Sequence, residues 1–185
     1  MRVIQNKQKA MNIILCGPQG SGKGTQAQLL SEKFGFFYFE SGAYLRKIAE
    51  SNQELRDMLD SGILVPDTEM TSYLTAYFDE QGIYDDVIFD GFPRTSEQYQ
   101  FLKVWLTAKQ VKIDLAIVLE IGESESIKRL MLRKREDDTP DAIKKRLELY
   151  HNRTEALIKE IEKDTKVVRV NGEKSIEEIQ NDLVN

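Results

Sequence analysis

Cysteine and histidine occur once each, as Cys16 and His151. A single thiol permits no intrachain disulfide, and one thiol with one imidazole falls short of the four ligands of a structural zinc site. The plain reading is that Cys16 is a small core residue on a strand and His151 a helix-surface residue. Long apolar runs are also missing: nothing approaches the ~20 residues of a membrane span, so no membrane association is expected. Nor is there an excess of positive charge. Lys and Arg number 26 against 31 Asp and Glu, and the net charge of −5 argues against a general nucleic-acid binder. It leaves room for a small anionic substrate, because a few arginines clustered locally outweigh a mild global charge. The first ten residues, MRVIQNKQKA, carry no secretory core and read as a flexible arm. A cytoplasmic setting is expected. No repeat, low-complexity tract or linker divides the 185 residues, so 11–185 reads as one domain.

What the chain has is alternation. Residues 12–16 (NIILC) form a short, largely apolar run of the kind that makes a buried parallel strand. Similar runs stand at 87–89, 115–119 and 167–170, with a brief one at 36–39. Helical spacing fills the intervals, at about 23–34, 42–51, 52–60, 67–80, 95–108, 124–134, 140–163 and 175–183. Strands alternating with helices imply an α/β fold, a parallel sheet with helices on both faces. Ligands of such sheets bind beyond the carboxyl ends of the strands.

The first strand runs into Gly17-Pro18-Gln19-Gly20-Ser21-Gly22-Lys23-Gly24-Thr25. Its glycines let the backbone turn sharply and aim successive N–H groups at an anion, and the following helix adds the positive end of its dipole. Lys23 supplies a mobile cation for the outer phosphates. The general pattern has Ser or Thr directly after the lysine; here that place is Gly24, and Thr25 comes one later. Gly20, Ser21, Gly22, Lys23, Gly24 and Thr25 are therefore candidate ATP ligands in a P-loop NTPase-type sheet.

Four blocks, in order, resemble the adenylate kinase family: GPQGSGKGT (17–25), SGAYLR (41–46), GILVPD (62–67) and DGFPRTSEQ (90–98). A fifth is the series Arg129, Arg133, Arg135, Asp137, Asp138 and Arg146. The resemblance covers nearly everything from Met11 onward. It implies a nucleotide kinase domain with a small AMP-binding helical insert at about 40–69 and a truncated lid at about 129–140, acting on ATP and AMP to give two ADP. It further implies Mg²⁺, oriented through water by Asp90, and no structural zinc. Arg129, Arg133 and Lys174 fall on the ATP side. Ser41, Arg46, Ile63, Leu64, Val65, Gly91, Phe92, Pro93, Arg94 and Gln98 fall on the AMP side, and Arg135 and Arg146 bridge the two. Lys23, Arg94, Arg135 and Arg146 would carry catalysis, and a monomer is expected.

Physical chemistry supports those roles. Phosphoryl transfer between nucleotides gathers several negative charges, so positioning and neutralisation are the enzyme's tasks. A planar guanidinium binds phosphate oxygens bidentately and stays charged. A Gln amide at 98 can meet both the N6 donor and the N1 acceptor of adenine. UMP or CMP as acceptor stays open, as does an ATP-binding switch without transfer. The chain departs from the family in two places. The usual Ser-Thr-Gly-Asp reads Glu40-Ser41-Gly42-Ala43, and a Glu40 facing the monophosphate would oppose its binding. The lid, shortened between Arg133 and Asp137-Asp138, would shield the phosphoryl group less well from water, which predicts raised ATP hydrolysis without an acceptor.

Overall fold

The computed structural model describes residue 4, residues 9–133, residue 135 and residues 137–184. Five strands form one sheet: β1 (Asn12–Cys16), β2 (Phe37–Glu40), β3 (Val87–Asp90), β4 (Ile113–Glu120) and β5 (Lys166–Asn171). Their order is β2-β3-β1-β4-β5, and every pairing is parallel. The central strands read as continuous apolar runs because both faces are covered. Period-two alternation then divides them. Ile14, Cys16, Phe39 and Phe89 enter one core, with Ala116 and Val118 of β4. Ile13, Leu15 and Ile88 enter the other, with Leu115, Ile117 and Leu119 of β4.

The first core is covered by α2 (Ser41–Ala49), α3 (Gln53–Asp60), α4 (Asp67–Gln81) and α5 (Ser96–Ala108). The second is covered by α1 (Lys23–Phe34) and α9 (Ile176–Val184). Ile4 belongs to that second core: it is buried, and its N–H donates to Leu183 O at 3.0 Å. The stretch expected to be a flexible arm is thus held to the body at Ile4. At the opposite end of the sheet from the glycine loop, Asn12 staples three segments. Its Nδ2 donates to Tyr84 O and Lys112 O, and its Oδ1 accepts from Val87 N.

The remaining helices are α6 (Glu123–Arg133), α7 (Pro140–Leu149) and α8 (Glu155–Ile161). The single helix expected over 140–163 is broken, because a π-helical turn at Tyr150–Thr154 separates α7 from α8. Periodicity alone does not reveal one extra residue in a helical turn. Its effect is to bring Thr154 beneath the site, where the hydroxyl donates to Arg94 O at 3.3 Å. Of the series expected to form the short lid, Lys134 and Glu136 lie outside the described residues.

Candidate active site

Strand ends bring the site together. β1 ends at Cys16 and passes into the glycine loop; β2 ends at Glu40, and β3 at Asp90. Gly17 adopts φ +140°, and a Cβ there would stand 2.5 Å from Leu119 O, so this turn beside β4 requires glycine. Gly22, also left-handed, opens α1. The start of α6 clamps the loop from the other side, with the Ser126 hydroxyl donating to Gln19 O. Lys23 folds back over the loop and donates to Gly17 O at 2.8 Å and Pro18 O at 2.9 Å. Burial pushes its ammonium down from the ordinary lysine value, and Asp90 works against that shift. Ser21 Oγ is buried and has no hydrogen-bond partner among the described residues.

Above the loop lies a cleft of ≈ 650 Å³. Gly20 to Thr25, Asp90, Gly91, Arg46, Arg94, Arg129, Arg133, Arg135 and Lys174 all reach its wall. The ATP-side candidates are therefore on one surface, but two of them point elsewhere. Lys174 pairs with Asp182 at 2.7 Å, and Arg129 donates to Glu125 and to Gly172 O, each at 2.8 Å.

Next to this cleft, and sharing Gly42, Arg46, Gly91 and Arg94 with it, is a smaller pocket. Ser41, Leu45, Ile63, Leu64, Val65, Met70, Gln98 and Arg146 help to line it. The AMP-side candidates from 41–46, 62–65 and 90–98 thus meet around one hollow. Phe92 and Pro93, joined by a cis peptide, are buried behind it, with Pro93 in the wall of an adjoining cavity. Gln98 is buried and held at both ends: Oε1 accepts from Arg94 N at 2.8 Å, and Nε2 donates to Asp67 Oδ1 at 2.7 Å. Asp67 ends the GILVPD block, and its sequence position alone assigns it no role. Arg94 Nε in turn donates to Gly91 O at 2.7 Å. Burial pushes its guanidinium down from the ordinary arginine value, with the charge of Asp90 working the other way.

The arginine series is braced by the acid pair. Arg133 grips Asp138 with two hydrogen bonds, at 2.9 and 2.8 Å. Arg146 reaches Asp138 at 3.2 Å, Asp137 at 2.6 Å and Leu59 O at 2.8 Å. Asp138's side chain is 1 % exposed, so two guanidinium groups share one buried carboxylate. Burial acts to raise the Asp137 carboxyl, but Arg146 beside it wins and holds it below the usual range. The Leu59 contact links the α3 turn to α7. Gly62 makes room for it, since a Cβ there would come within 2.8 Å of Ala142 O.

Tyr38 is a residue that sequence reasoning missed. It lies in an apolar strand run (FFYF), and no spacing marks its phenol. In the fold its hydroxyl donates to Asp90 Oδ2 at 3.0 Å and stands 3.4 Å from Glu40 Oε2. Asp90 is almost fully buried, and that burial pushes its carboxyl up, opposed by the charge of Lys23 and the Tyr38 hydrogen bond. Glu40 does face the cleft. Its Oε1 accepts from Arg46 Nη2 at 2.9 Å and lies 3.8 Å from Arg135 Nη1.

A parallel sheet whose first strand feeds a glycine loop, with a lysine, a strand-end aspartate and convergent arginines around one cleft, defines a P-loop nucleotide phosphotransferase. Comparison with known proteins narrows the class. Residues 15–166 match the family model described as adenylate kinase. The adenylate kinase of Bacteroides thetaiotaomicron is 36 % identical over 170 residues, which cover 88 % of this chain and 90 % of that protein. That of Mycobacteroides abscessus is 39 % identical over 152 residues, 80 % and 84 % of the two chains. That of Pyrococcus furiosus is 33 % identical, with coverage of 91 % and 92 %. The chain belongs to the adenylate kinase family.

No helix among the described residues is long and apolar enough to cross a membrane. Among those residues, too, no three His, Cys, Asp or Glu side chains converge as a metal cage would require.

Proposed function

We propose that the cleft transfers the terminal phosphoryl group of Mg-ATP to AMP, giving two ADP, with the donor phosphates on the glycine loop and AMP in the smaller pocket. The observation that carries this reading is the shared wall. Arg46 and Arg94 belong to both hollows, so a phosphate seated between them would border both nucleotides. Lys23 exchanges its two carbonyl partners for donor phosphate oxygens, an exchange that replaces neutral acceptors with charged ones. Arg94 touches the transferred group, and Gly91 O and the Thr154 hydroxyl hold Arg94 in place. Arg135 and Arg146 supply charge from the lid side.

The residues fit a magnesium ion carried in with the nucleotide. Asp90 offers a hard, buried carboxylate facing the cleft, and Tyr38 fixes its second oxygen. The ion would spread negative charge off the phosphate oxygens. Asp90 would hold it through water, and the phosphates would supply most of its ligands.

Gln98 selects adenine if its amide shares its present partners with the base. Its orientation is already set by Arg94 N and Asp67, so little side-chain entropy remains to be lost on binding. The chain is expected to act as a cytoplasmic monomer without a nucleic-acid partner. The decisive experiment offers Mg-ATP with AMP, CMP, UMP or GMP in parallel and separates all nucleotides chromatographically. ADP formed in twofold stoichiometry with AMP alone is the expected result. Transfer to CMP or UMP would overturn the role of Gln98, and no transfer at all would leave a nucleotide-binding protein. An ATP-only arm reads hydrolysis, expected to exceed that of long-lid relatives.

A further inference from the structure

Glu40 puts a carboxylate where the acceptor phosphate is to be held. It closes β2, faces the cleft, and is bound by Arg46 at 2.9 Å with Arg135 3.8 Å away. Arg46 is assigned above to the acceptor side, and Arg135 to the bridge between the two nucleotides. The neighbourhood is already acidic, because Asp90 is joined to Glu40 through the Tyr38 hydroxyl. We infer that Glu40 is an internal competitor for the acceptor phosphate, a carboxylate that occupies Arg46 when the pocket is empty and weakens AMP binding when it is filled.

The side chains of Glu40, Arg46 and Arg135 are 28 %, 35 % and 38 % exposed. An ion pair at such a site contributes little net stability, so Arg46 can leave it for a phosphate. What does not disappear is the charge. Glu40 is the last residue of β2, paired in register with Asp90, and Ser41 directly begins α2, so its backbone cannot swing away. A phosphate drawn to Arg46 therefore comes to rest near the Glu40 carboxylate, whose other oxygen contacts the Tyr38 hydroxyl. At a half-exposed site two like charges that close oppose each other appreciably. The consequence is a higher working concentration of AMP and a smaller effect on ATP, since Glu40 binds Arg46 directly and meets the glycine loop only through the Tyr38 hydroxyl. This deepens the proposed function and rests on its assignment of Arg46 to the acceptor phosphate.

The test uses the full chain with Glu40→Gln, Glu40→Ser and Arg46→Ala. KM for AMP and for ATP are measured, with calorimetric AMP binding and thermal midpoints as folding checks. Both Glu40 variants are expected to lower KM and Kd for AMP by about tenfold, the order set by one charge near a phosphate in a partly solvated site. KM for ATP is expected to shift by less than KM for AMP, because Glu40 pairs directly with Arg46 and meets the donor loop only through Tyr38. Inorganic phosphate, as a competitor against AMP, should strengthen in the same variants. An AMP affinity unchanged or weakened in both variants would overturn the inference and make Glu40 a residue that merely positions Arg46. Arg46→Ala separates the two layers: a KM for AMP that does not rise there overturns the assignment of Arg46 itself, whatever the Glu40 variants do.

Discussion

The proposed donor end and the proposed acceptor end of the cleft are built from different materials. The donor end is largely backbone: a glycine loop, a helix N-terminus and a lysine resting on two carbonyls of the same loop. The acceptor end relies on arginine side chains, each occupied by a partner within the protein. Arg46 holds Glu40, Arg94 holds Gly91 O, and Arg146 reaches Asp137, Asp138 and Leu59 O, sharing Asp138 with Arg133 of the ATP side. A backbone cradle is ready for an anion as soon as the chain folds. An arginine cluster must first exchange protein acceptors for substrate ones, so its affinity is set by its acids as much as by its arginines.

Four measurements would sharpen or break that contrast. The largest effect is expected at the shared wall. Arg94→Ala should reduce turnover by about 10³-fold, the low end for an arginine acting on a phosphoryl transition state. A steady-state loss below about tenfold would remove Arg94 from the reacting group. Next is the donor cradle, tested through stability. Gly17→Ala forces a Cβ against Leu119 O at a positive φ, which should cost about 3 kcal/mol and lower the thermal midpoint by roughly 10 °C for a chain of this size. An unchanged midpoint would show that the loop is softer than its geometry implies.

The brace between Arg133 and Arg146 comes third. Asp138→Ala leaves Arg133 and Arg146 without their common buried carboxylate, and should cost about 2 kcal/mol in denaturant unfolding, below the range for a fully buried pair because Arg133 is partly exposed. A drop in kcat/KM should accompany it, since both arginines lose their pose. Equal stability and activity would mean the brace is ornamental.

The smallest effect concerns Asp90. Its folded-state carboxyl is raised by burial, so folding favours its neutral form. Above that raised value the buried charge costs stability; as pH falls through it towards the unfolded carboxylate value the cost disappears. Asp90→Asn should therefore be more stable than the parent near neutral pH, with the advantage vanishing as pH falls through the carboxylate range. Thermal melts across pH would check the sign, and an advantage that grows on acidification would refute it.

Much of this architecture was legible locally. The apolar runs at 12–16, 87–89 and 115–119 became neighbouring parallel strands because a strand covered on both faces has to be apolar throughout. The glycine loop was legible because its function depends on backbone conformation, which glycine spacing records. The blocks at 41–46, 62–67 and 90–98 all contribute to the wall of the smaller pocket. The π-helical turn within 140–163 was not legible, because one extra residue leaves the apolar period almost unchanged. Ile4 was misjudged as part of a free arm because a single isoleucine in a polar stretch carries no period.

By itself, then, the sequence determined the class of fold, the phosphate loop and the roster of arginines, since each is written in contiguous residues whose local preferences agree with the whole. Only the tertiary structure decided which partner each polar group meets. Tyr38 finds Asp90 across 52 residues, Gln98 finds Asp67 across 31, and Arg146 finds Leu59 O across 87. The same is true of Glu40: its charge was visible in the chain, but whether it faced solvent or the cleft and Arg46 depended on the register of β2 against β3, which turns one residue in and the next out.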